Sequence, residues 1–515
     1  MSRARRYPDS YLLMLAALGG LALLGSAQVG IGQVAVAPGI RVVTLSGAPA
    51  VDSGYQPVVW PRRTTARRAG SLYVSNQVIV KYADWAAEKT AVEWAAVGLS
   101  VHAVDTPRFA NFDLLTLERG TDPAVVAQTL ADRPDVEYAQ PSYLRQSQFV
   151  PNDPLFPQQW NLSALEMQLA WDINPGSTDS VIVAVIDSGI AFEDVSIQFE
   201  ADAFTIDAVE YPALGDLTLT FAAAPELGPP ARFVAPFDFI WQDAHPVDFS
   251  GHGTHVTGTV GQLTDNSLGA AGVAFNVRIM PLKVLGNWWD FVFGATAACC
   301  GGSDADVAAA IRYAVENGAQ VINMSLGGPG PAPAIEDAMR FAVGRGVFIS
   351  VAGGNSFEQN NAETFPAASA DTIDGAMSVG AVDRSLRRAF YSNTGPYVEI
   401  VAPGGEQRLE GATGGVLQQT LDPVFTDTFL LPPAQFGPPR FDVLSFSFFQ
   451  GTSMAAPHVA GMAALLITQG ITDPAAIEAA IKHFALDLGP AGRDDEYGHG
   501  LISPPATLRG LGLAR

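Results

Sequence analysis

From about residue 151 the chain alternates short, continuously apolar runs with segments that have the apolar spacing of a helix. The apolar runs are rich in valine and isoleucine and occupy 181–186, 278–284, 320–324, 347–351, 376–382 and 398–401. Helical spacing occupies 305–316, 334–345, 453–468 and 474–484. A strand that is apolar on both faces has to be buried on both, as in a parallel sheet that helices cover from two sides. The sequence therefore predicts an α/β fold with a doubly wound, mostly parallel sheet.

A smaller unit precedes this one. Strand-like runs lie at 78–82, 112–117 and 136–139, and helical spacing occupies 85–97 and 122–130. Because this order fits a compact βαββαβ unit, we predict a small α+β, ferredoxin-like domain at 71–147. The α/β domain then occupies 148–515.

The first 70 residues have the pattern of an export signal followed by a spacer. A basic stretch that includes Arg5 and Arg6 precedes an apolar run at 11–24. This run is too short to span a bilayer as a stable helix, but it has the length of a signal-peptide core. We predict a signal peptide at 1–27 and a poorly ordered spacer at 28–70. The protein is then secreted, extracellular or periplasmic, with no membrane association after signal removal; a retained membrane anchor is the alternative.

Charge is distributed unevenly along the 515 residues, whose net charge is −23. Residues 1–147 carry 14 basic and 12 acidic side chains, a net +2, whereas residues 148–515 carry 15 basic and 40 acidic ones, a net −25. Such an acidic body repels nucleic acid and anionic membranes, while it favours solubility and cation binding. We therefore expect no nucleic-acid partner.

The two cysteines, Cys299 and Cys300, are adjacent, so they cannot form a disulfide framework that joins distant segments. We favour an incidental loop feature. A vicinal disulfide, free thiols and an intermolecular bond stay open.

Three junctions supply the parts of a nucleophilic site. Asp187 ends an apolar run, His252 opens a helix of small residues, and Ser453 opens the helix at 453–468. A serine hydroxyl becomes a good nucleophile when an imidazole takes its proton and a buried carboxylate orients that imidazole. Taken singly, each residue is explained as well by a turn or a helix cap. An α/β-hydrolase is disfavoured for two reasons. Its Gly-x-Ser-x-Gly motif needs glycine where Ala455 stands, and its serine comes before the acid and the histidine, whereas Ser453 comes last.

The sequence blocks around these residues resemble the active-site blocks of the subtilisin-like serine proteases, or subtilases, and in particular the thermitase-like members. The blocks are VIDSGI at 185–190, HGTHVTGT at 252–259 and GTSMAAPHVAG at 451–461, and the resemblance covers about 151–505. It implies catalytic roles for Asp187, His252 and Ser453. In VAGGN at 351–355, it implies that Asn355 donates a hydrogen bond to the oxyanion, as the N–H of Ser453 also does. His255 and His458 are expected to pack rather than to catalyse.

The resemblance also implies a function. We expect a secreted serine endopeptidase that hydrolyses peptide bonds through an acyl-enzyme. The domain at 71–147 resembles the family's inhibitory propeptide, whose removal would mature the enzyme. Its expected partners are protein or peptide substrates and its own propeptide, and it is expected to be a monomer. A catalytically silent binding protein and a processing protease with a narrow substrate range are the alternatives.

The substrate-binding residues follow from the same resemblance. VINMSLGG at 321–328 matches the segment whose edge pairs with an extended peptide. The expected contacts, on this edge and in the primary specificity pocket, are made by Ser325, Leu326, Gly327, Gly353, Gly354 and Thr364. A threonine near the pocket floor disfavours the largest substrate side chains.

A structural calcium ion is implied by LTDNSLGA at 263–270, which resembles the calcium loop of thermitase-like members, and by NDP at 152–154. The expected ligands are Asp153, Leu263, Asn266, Leu268 and Ala270. Side-chain and carbonyl oxygens of this kind suit Ca²⁺. A polar loop with a turn at 266–267 is the alternative.

Two segments, 192–247 and 405–447, are longer than compact subtilases have. An acid that the family places after the aspartate block is hard to align in 192–200, which leaves one calcium ligand in doubt. Asp238, Asp243 and Asp248 suggest a second cation site, although solvated acids in a loop are the favoured interpretation.

Overall fold

The computed structural model describes residues 73–83, 85–86, 93–94, 98–143, 149–206, 209–295, 301–427 and 436–510. The predicted signal peptide, the spacer and the pair Cys299–Cys300 lie outside the described residues, as does most of the predicted helix at 85–97. The chain divides into two units, whose described parts are 73–143 and 149–510. No helix in these described parts has the length and apolarity needed to cross a bilayer.

The smaller unit is a four-stranded antiparallel sheet with the strand order β4-β1-β3-β2. Its elements are β1 (Tyr73–Tyr82), β2 (Val101–Asp105), β3 (Asp113–Leu117), α1 (Pro123–Ala131) and β4 (Val136–Tyr143). The carboxylate of Asp122 caps α1 by accepting a hydrogen bond from the N–H of Ala124 at 2.9 Å. Val80, Leu115 and Leu130 are fully buried in its core. This arrangement confirms the predicted ferredoxin-like domain.

The residues of β2 have no strand-like pattern, although the predicted βαββαβ order requires a strand there. The reason is that Val101 is its only buried residue. The remaining residues of β2 are exposed or half-buried.

The larger unit contains the parallel sheet. Its strands are β5 (Ile182–Asp187), β6 (Val195–Ala201), β7 (Phe204–Ile206), β8 (Val209–Tyr211), β9 (Gly215–Phe221), β10 (Phe237–Asp238), β11 (Arg278–Lys283), β12 (Val321–Met324), β13 (Phe348–Ala352), β14 (Ala376–Val382), β15 (Ile400–Pro403), β16 (Val416–Leu421) and β17 (Leu444–Phe449). Its helices are α2 (Trp160–Ala164), α3 (Met167–Trp171), α4 (His252–Gly261), α5 (Trp288–Val292), α6 (Asp304–Glu316), α7 (Pro333–Val343), α8 (Ala367–Ala370), α9 (Gln407–Glu410), α10 (Pro423–Thr426), α11 (Thr452–Thr468), α12 (Pro474–His483) and α13 (Pro504–Gly510).

The central sheet has seven parallel strands in the order β10-β11-β5-β12-β13-β14-β15. The chain runs from β5 to β11 on one side and later adds β12 on the other, so β5 lies where the strand order reverses. Ligands of open parallel sheets bind at the carboxyl ends of strands beside such a switch point. Asp187 is the last residue of β5, and Ser325 directly follows β12. The predicted doubly wound α/β fold is confirmed.

Helices cover the sheet as the apolar pattern requires. α11 packs against the central strands and against α4, and α6 packs with α7. Nearly every residue of α11 is buried, because the helix lies in the core between the sheet and its neighbours. His252 begins α4, and Ser453 is the second residue of α11. The packing therefore fixes the helix that begins at His252 against the helix that carries Ser453.

The two long segments have structure of their own and share an aromatic core. β6 pairs with β9 as an antiparallel ribbon, and β16 pairs with β17 as a hairpin. Phe221 of the first segment stacks on Phe441 of the second, with ring centroids 5.0 Å apart. Phe249 contacts both of these rings and also that of Phe199. The two insertions thus form one layer, which packs against the segment just before His252.

We predict that Phe441→Ala lowers the free energy of unfolding by about 3–5 kcal/mol, because it leaves a cavity at the centre of the shared aromatic core. Phe441 is fully buried. Chemical denaturation measures the change. Val424→Ala is the control, because Val424 is 76% exposed in the same segment, and we expect a change within about 0.5 kcal/mol. Equal effects of the two substitutions would contradict a shared core.

Candidate active site

Asp187 and His252 form a buried pair at the carboxyl edge of the sheet. Nδ1 of His252 lies 2.6 Å from Oδ1 of Asp187 and donates a hydrogen bond to it, so Nε2 is left for another partner. Asp187 is fully buried and His252 nearly so. Burial alone lowers the pKa of His252, but the charge and hydrogen bond of Asp187 outweigh it, so that the pKa is raised. The pair thus supplies a base whose tautomer is held by a carboxylate.

Ser453, the second residue of α11, contacts the end of the strand that neighbours β5. Its Oγ donates to the carbonyl of Ser325 at 3.3 Å, and β12, which ends just before Ser325, pairs with β5. No hydrogen bond between Ser453 and His252 occurs within the described residues. Catalytic hydrogen bonds are often long or misaligned before substrate binds, so this geometry is compatible with transfer of the hydroxyl proton to His252.

A proline inside α11 gives Ser453 a second link to Ser325. Pro457 has no N–H, so the carbonyl of Ser453 lacks the hydrogen bond that a helix normally supplies from four residues on. The hydroxyl of Ser325 donates to that carbonyl at 2.7 Å. The side chain of Asn323 in turn donates to this hydroxyl at 3.0 Å. The position of the serine is therefore set by the end of β12 as well as by its own helix.

Asn355 presents its amide group next to Ser453. Its Oδ1 accepts hydrogen bonds from the N–H and the hydroxyl of Thr452, each at 2.9 Å, which leaves Nδ2 as a donor. A Cβ on Gly451 would lie 3.6 Å from both Asn355 Nδ2 and the N–H nitrogen of Ser453. Neither nitrogen has an acceptor in the part of the chain that the structure describes. Two free donors beside a serine hydroxyl are the arrangement that an oxyanion needs.

The other two histidines of the motifs are structural. His255 donates through Nε2 to the carbonyls of Val416 and Ser447 at 3.0 and 3.1 Å. His458 contacts the carbonyl of Met454 through Nδ1 and the amide of Asn161 through Nε2, both at 2.8 Å. Burial lowers the pKa of His255 to about 3 and that of His458 to about 4. Both rings are therefore neutral parts of the core.

The predicted substrate-binding residues fall into two groups. Leu326 and Gly327 continue from β12, and their backbone groups have no hydrogen-bond partner among the described residues. The side chain of Thr364 lies against two glycines, because an added Cβ would come within 2.3 Å of it at Gly327 and within 2.4 Å at Gly354. Gly353 packs behind them, where an added Cβ would meet the carbonyl of Val379 at 2.9 Å. An open strand edge thus ends beside a surface that is formed by glycines and Thr364.

The segments predicted to hold calcium also lie together. Asp153 is buried, and its carboxylate accepts hydrogen bonds from the N–H groups of Asp265 and Asn266, at 2.7 and 3.5 Å. The buried carboxylate of Glu226 lies 3.3 Å from the side-chain amide of Asn266. The carbonyls of Leu263 and Leu268 accept no hydrogen bond from any residue in the described ranges.

These groups fit a cation. Burial raises the pKa of Asp153 to about 6. Burial, together with the charge of Asp153, raises that of Glu226 to about 7. No lysine or arginine forms a salt bridge with either carboxylate among the residues described. A hard divalent ion with oxygen ligands would neutralise the two buried charges.

Glu226 is the ligand candidate that sequence reasoning missed. It lies inside the first insertion, in a segment with no motif, and it reaches the loop only through the fold. An added Cβ on Gly269 would lie 2.4 Å from its Oε2, so it closely approaches the loop backbone. Glu226 is therefore a candidate for the carboxylate that could not be aligned in 192–200.

The suggested second cation site is not formed, because its three acids have separate partners. Asp238 lies 3.7 Å from the ammonium group of Lys283. Asp243 accepts a hydrogen bond from the N–H of His245 at 2.8 Å. Asp248 caps the turn before α4, accepting from the N–H of Gly251 at 2.8 Å. Each carboxylate is therefore explained without an ion.

Comparison with known proteins follows the same division of the chain. The sequence model of the subtilase family matches residues 178–500, and that of the fervidolysin N-terminal prodomain matches residues 61–142. A thermophilic serine proteinase of a Bacillus species is 31% identical over 428 residues, which are 83% of this chain and 86% of that relative. An extracellular protease of Xanthomonas campestris is 30% identical over 416 residues, 76% of this chain and 62% of the relative's length. A solved protease structure from Pseudoalteromonas arctica has a TM-score of 0.53 at 29% identity and covers 70% of this chain and 99% of that one.

The lowered pKa of His458 predicts a measurable dependence of stability on pH. Between about pH 6.5 and 4 the unfolded chain binds a proton at this histidine and the folded chain does not, so stability falls as the pH falls. We expect His458→Gln to reduce this slope by about 1 kcal/mol per pH unit. Urea unfolding across that range measures it.

His245→Gln is the matched control for this measurement. His245 is half exposed, and its hydrogen bond to Glu193 raises its pKa. The protonation of His245 therefore changes above the range of pH 4 to 6.5. The slope of stability against pH in that range should stay that of the wild type. A wild-type slope in His458→Gln would show that His458 does not remain neutral in the folded state.

Proposed function

The chain belongs to the subtilase family of serine endopeptidases, and on that premise we propose that it is an exported enzyme whose Asp187, His252 and Ser453 cleave peptide bonds through an acyl-enzyme. One observation carries the proposal. A buried carboxylate–imidazole pair ends β5, and the serine hydroxyl contacts the end of the neighbouring strand, β12. Export is supported by the predicted signal peptide and by a relative that is named an extracellular protease.

In the proposed reaction, Oγ of Ser453 attacks the carbonyl carbon of the scissile bond while Nε2 of His252 takes its proton. The carboxylate of Asp187 stabilises the imidazolium that forms. Negative charge then develops on the former carbonyl oxygen, where Nδ2 of Asn355 and the N–H of Ser453 donate to it. As the C–N bond breaks, His252 returns the proton to the leaving amine. Water attacks the acyl group by the same route and restores the free serine.

The substrate runs along the open edge after β12. Ser325, Leu326 and Gly327 pair with an extended peptide, and the free backbone groups of Leu326 and Gly327 support this role. Gly353, Gly354 and Thr364 border the pocket for the residue before the scissile bond. Because Thr364 fills space between Gly327 and Gly354, small and medium side chains fit best.

The domain at 71–147 is proposed to inhibit the protease until it is removed. Its match to the fervidolysin N-terminal prodomain and its ferredoxin-like sheet support this role. Removal by the enzyme itself would release an acidic mature protein, which we propose acts as a monomer.

Calcium is proposed to bind between the two buried carboxylates. Asp153, Glu226 and Asn266 would hold it with their side chains, and Leu263, Leu268 and Ala270 with their carbonyls. The ion would supply the positive charge that these groups lack. Its role is structural, because it would join the segment at 152–154, the first insertion and the loop after α4.

A fluorophosphonate probe tests the nucleophile. We expect the processed wild-type protein to be labelled and Ser453→Ala not to be labelled, because the probe reacts with an activated serine hydroxyl. Ser325→Ala is the matched control. It removes the neighbouring hydroxyl but keeps the nucleophile, so labelling should slow rather than disappear. Absence of labelling in the processed wild type would refute the enzymatic proposal.

The same Ser453→Ala variant tests self-processing. We expect its precursor to accumulate uncleaved, since no other serine is proposed to perform the cleavage. Mass spectrometry of the purified chain measures it. Normal processing of this variant, expressed alone in a host without related proteases, would refute self-cleavage and leave the enzymatic proposal standing.

Chelation tests the calcium site. In a Ser453→Ala background, which prevents self-digestion, we expect a chelator to lower the melting temperature by about 5 °C. Glu226→Gln should remove most of this difference, because it takes away one of the two buried charges. Asp216→Asn, an exposed acid of the same insertion, should retain it. A melting temperature that the chelator does not change would contradict the proposed calcium site.

A further inference from the structure

The carboxylate of Asp248 is fully enclosed and receives five hydrogen bonds. Oδ1 accepts from the N–H groups of Ser250 and Gly251, at 2.9 and 2.8 Å, and from the hydroxyl of Ser188 at 3.0 Å. Oδ2 accepts from the N–H and the hydroxyl of Thr254, at 3.0 and 2.6 Å. Burial raises the pKa of Asp248, but every contact donates to the carboxylate and so favours its ionised form. Asp248 therefore fixes the turn that leads into His252.

The hydroxyl of Ser188 joins this turn to the other half of the catalytic pair. It donates to Asp248 and accepts a hydrogen bond from the N–H of Gly253 at 3.0 Å. The N–H of Ser188 in turn donates to Oδ1 of Asp187 at 2.8 Å. One short side chain thus connects the residue after Asp187 with the residues on both sides of His252.

The segment that follows Asp187 and the segment around His252 also approach too closely to move independently. An added Cβ on Gly253 would lie 2.1 Å from the carbonyl oxygen of Gly189 and 3.2 Å from Oδ1 of Asp187. Gly189 itself has φ of 107°, a conformation that favours glycine, and an added Cβ there would lie 2.5 Å from the carbonyl of Val247. The carboxylate of Asp248 and its donors help to keep this contact in register.

The outer side of the same turn is held by Lys283 of β11. Its buried ammonium group donates to the carbonyl of Val247 at 3.2 Å and lies 4.1 Å from the ring centroid of Phe249. Asp290 of α5 accepts from this ammonium at 2.7 Å. The charge of Lys283 is thus directed to Asp290 and, at 3.7 Å, to Asp238. The carboxylate of Asp248 is left with neutral donors.

We propose that Asp248 is a positioning residue, which acts through Ser188 and the first turn of α4 to hold His252 against Asp187. This inference rests on the proposed function. Asp248 contacts none of the residues proposed to bind substrate, so its effect belongs to the chemical step and not to binding. Its negative charge also favours the imidazolium that forms during the reaction.

A pH effect follows from the same geometry. Two groups add charge near His252, Asp187 on β5 and Asp248 on the turn. His255 on the same helix stays neutral, and Lys283 lies behind Val247 and Phe249. Burial lowers the pKa of His252, and the charges of Asp187 and then Asp248 raise it. Without the charge of Asp248, this pKa falls. The acid limb of kcat/KM should then move to lower pH.

The test compares Asp248→Asn with Asp243→Asn, an exposed acid of the same segment. Both precursors are processed with a trace of wild-type enzyme and repurified. For Asp248→Asn we expect kcat on a peptide substrate to fall about 10²-fold, as a small misplacement of a catalytic group costs, with KM within about two-fold. The acid limb should move to lower pH. Asp243→Asn should behave as the wild type does.

Ser188 supplies a second pair of variants that leaves the carboxylate in place. Ser188→Ala should lower kcat without moving the acid limb, and Ser188→Thr, which keeps the hydroxyl, should restore kcat. If Asp248→Asn does not fold, this pair decides, and an unchanged kcat in Ser188→Ala overturns the inference. A lower melting temperature with wild-type kcat and pH profile in Asp248→Asn also overturns it.

The experiment separates this inference from the proposed function. A wild-type protein that neither cleaves peptides nor reacts with the fluorophosphonate contradicts the proposed function itself. An active wild type, together with an Asp248→Asn variant that is equally active, contradicts only the positioning role.

Discussion

The hydrogen bond between the buried carboxylate of Asp187 and the ring of His252 is the interaction on which the site depends. A carboxylate without exposure to water is stable only when it is paired and hydrogen-bonded, because an unpaired buried charge costs several kcal/mol. Asp187 comes from the strand at the switch point of the sheet, and His252 from a helix that begins 65 positions later. The chain between these two residues has to bring His252 back to the carboxyl end of β5. The sheet, α4 and the turn before α4 fix that position.

Ser453 is held by a different set of contacts. The proline in α11 frees the carbonyl of Ser453, and Ser325 uses it. The hydroxyl of Thr452 donates to Asn355 and accepts from the N–H of Gly354. The proposed nucleophile is thus attached to the ends of β12 and β13 by short side chains. Rigid elements with short connecting groups hold catalytic atoms better than loops do, and here each proposed catalytic group lies at the end of a strand or the start of a helix.

The two insertions extend this framework rather than interrupt it. Their aromatic rings surround Phe249, three residues before His252, and the first insertion also brings Glu226 to the loop after α4. A layer that contacts both the catalytic turn and a proposed ion site would couple the stability of the two. The many acids of this domain favour its solubility. Its aromatic rings bury the added segments against the sheet.

The sequence by itself determined the parallel sheet, because a strand buried on both faces has to be apolar at every position. It also indicated the three blocks that carry the proposed catalytic residues, since the residue types within each block are local. The strand at Val101–Asp105 was not visible, because only one of its residues is buried. Glu226, Asp248 and the link from Ser188 could not be read from the chain either. Their roles arise from contacts between residues that are far apart in sequence or lack a motif, as when Ser188 meets Asp248 across 60 positions. Local pattern records how a segment is buried, but only the tertiary structure decides which distant group a buried polar atom meets.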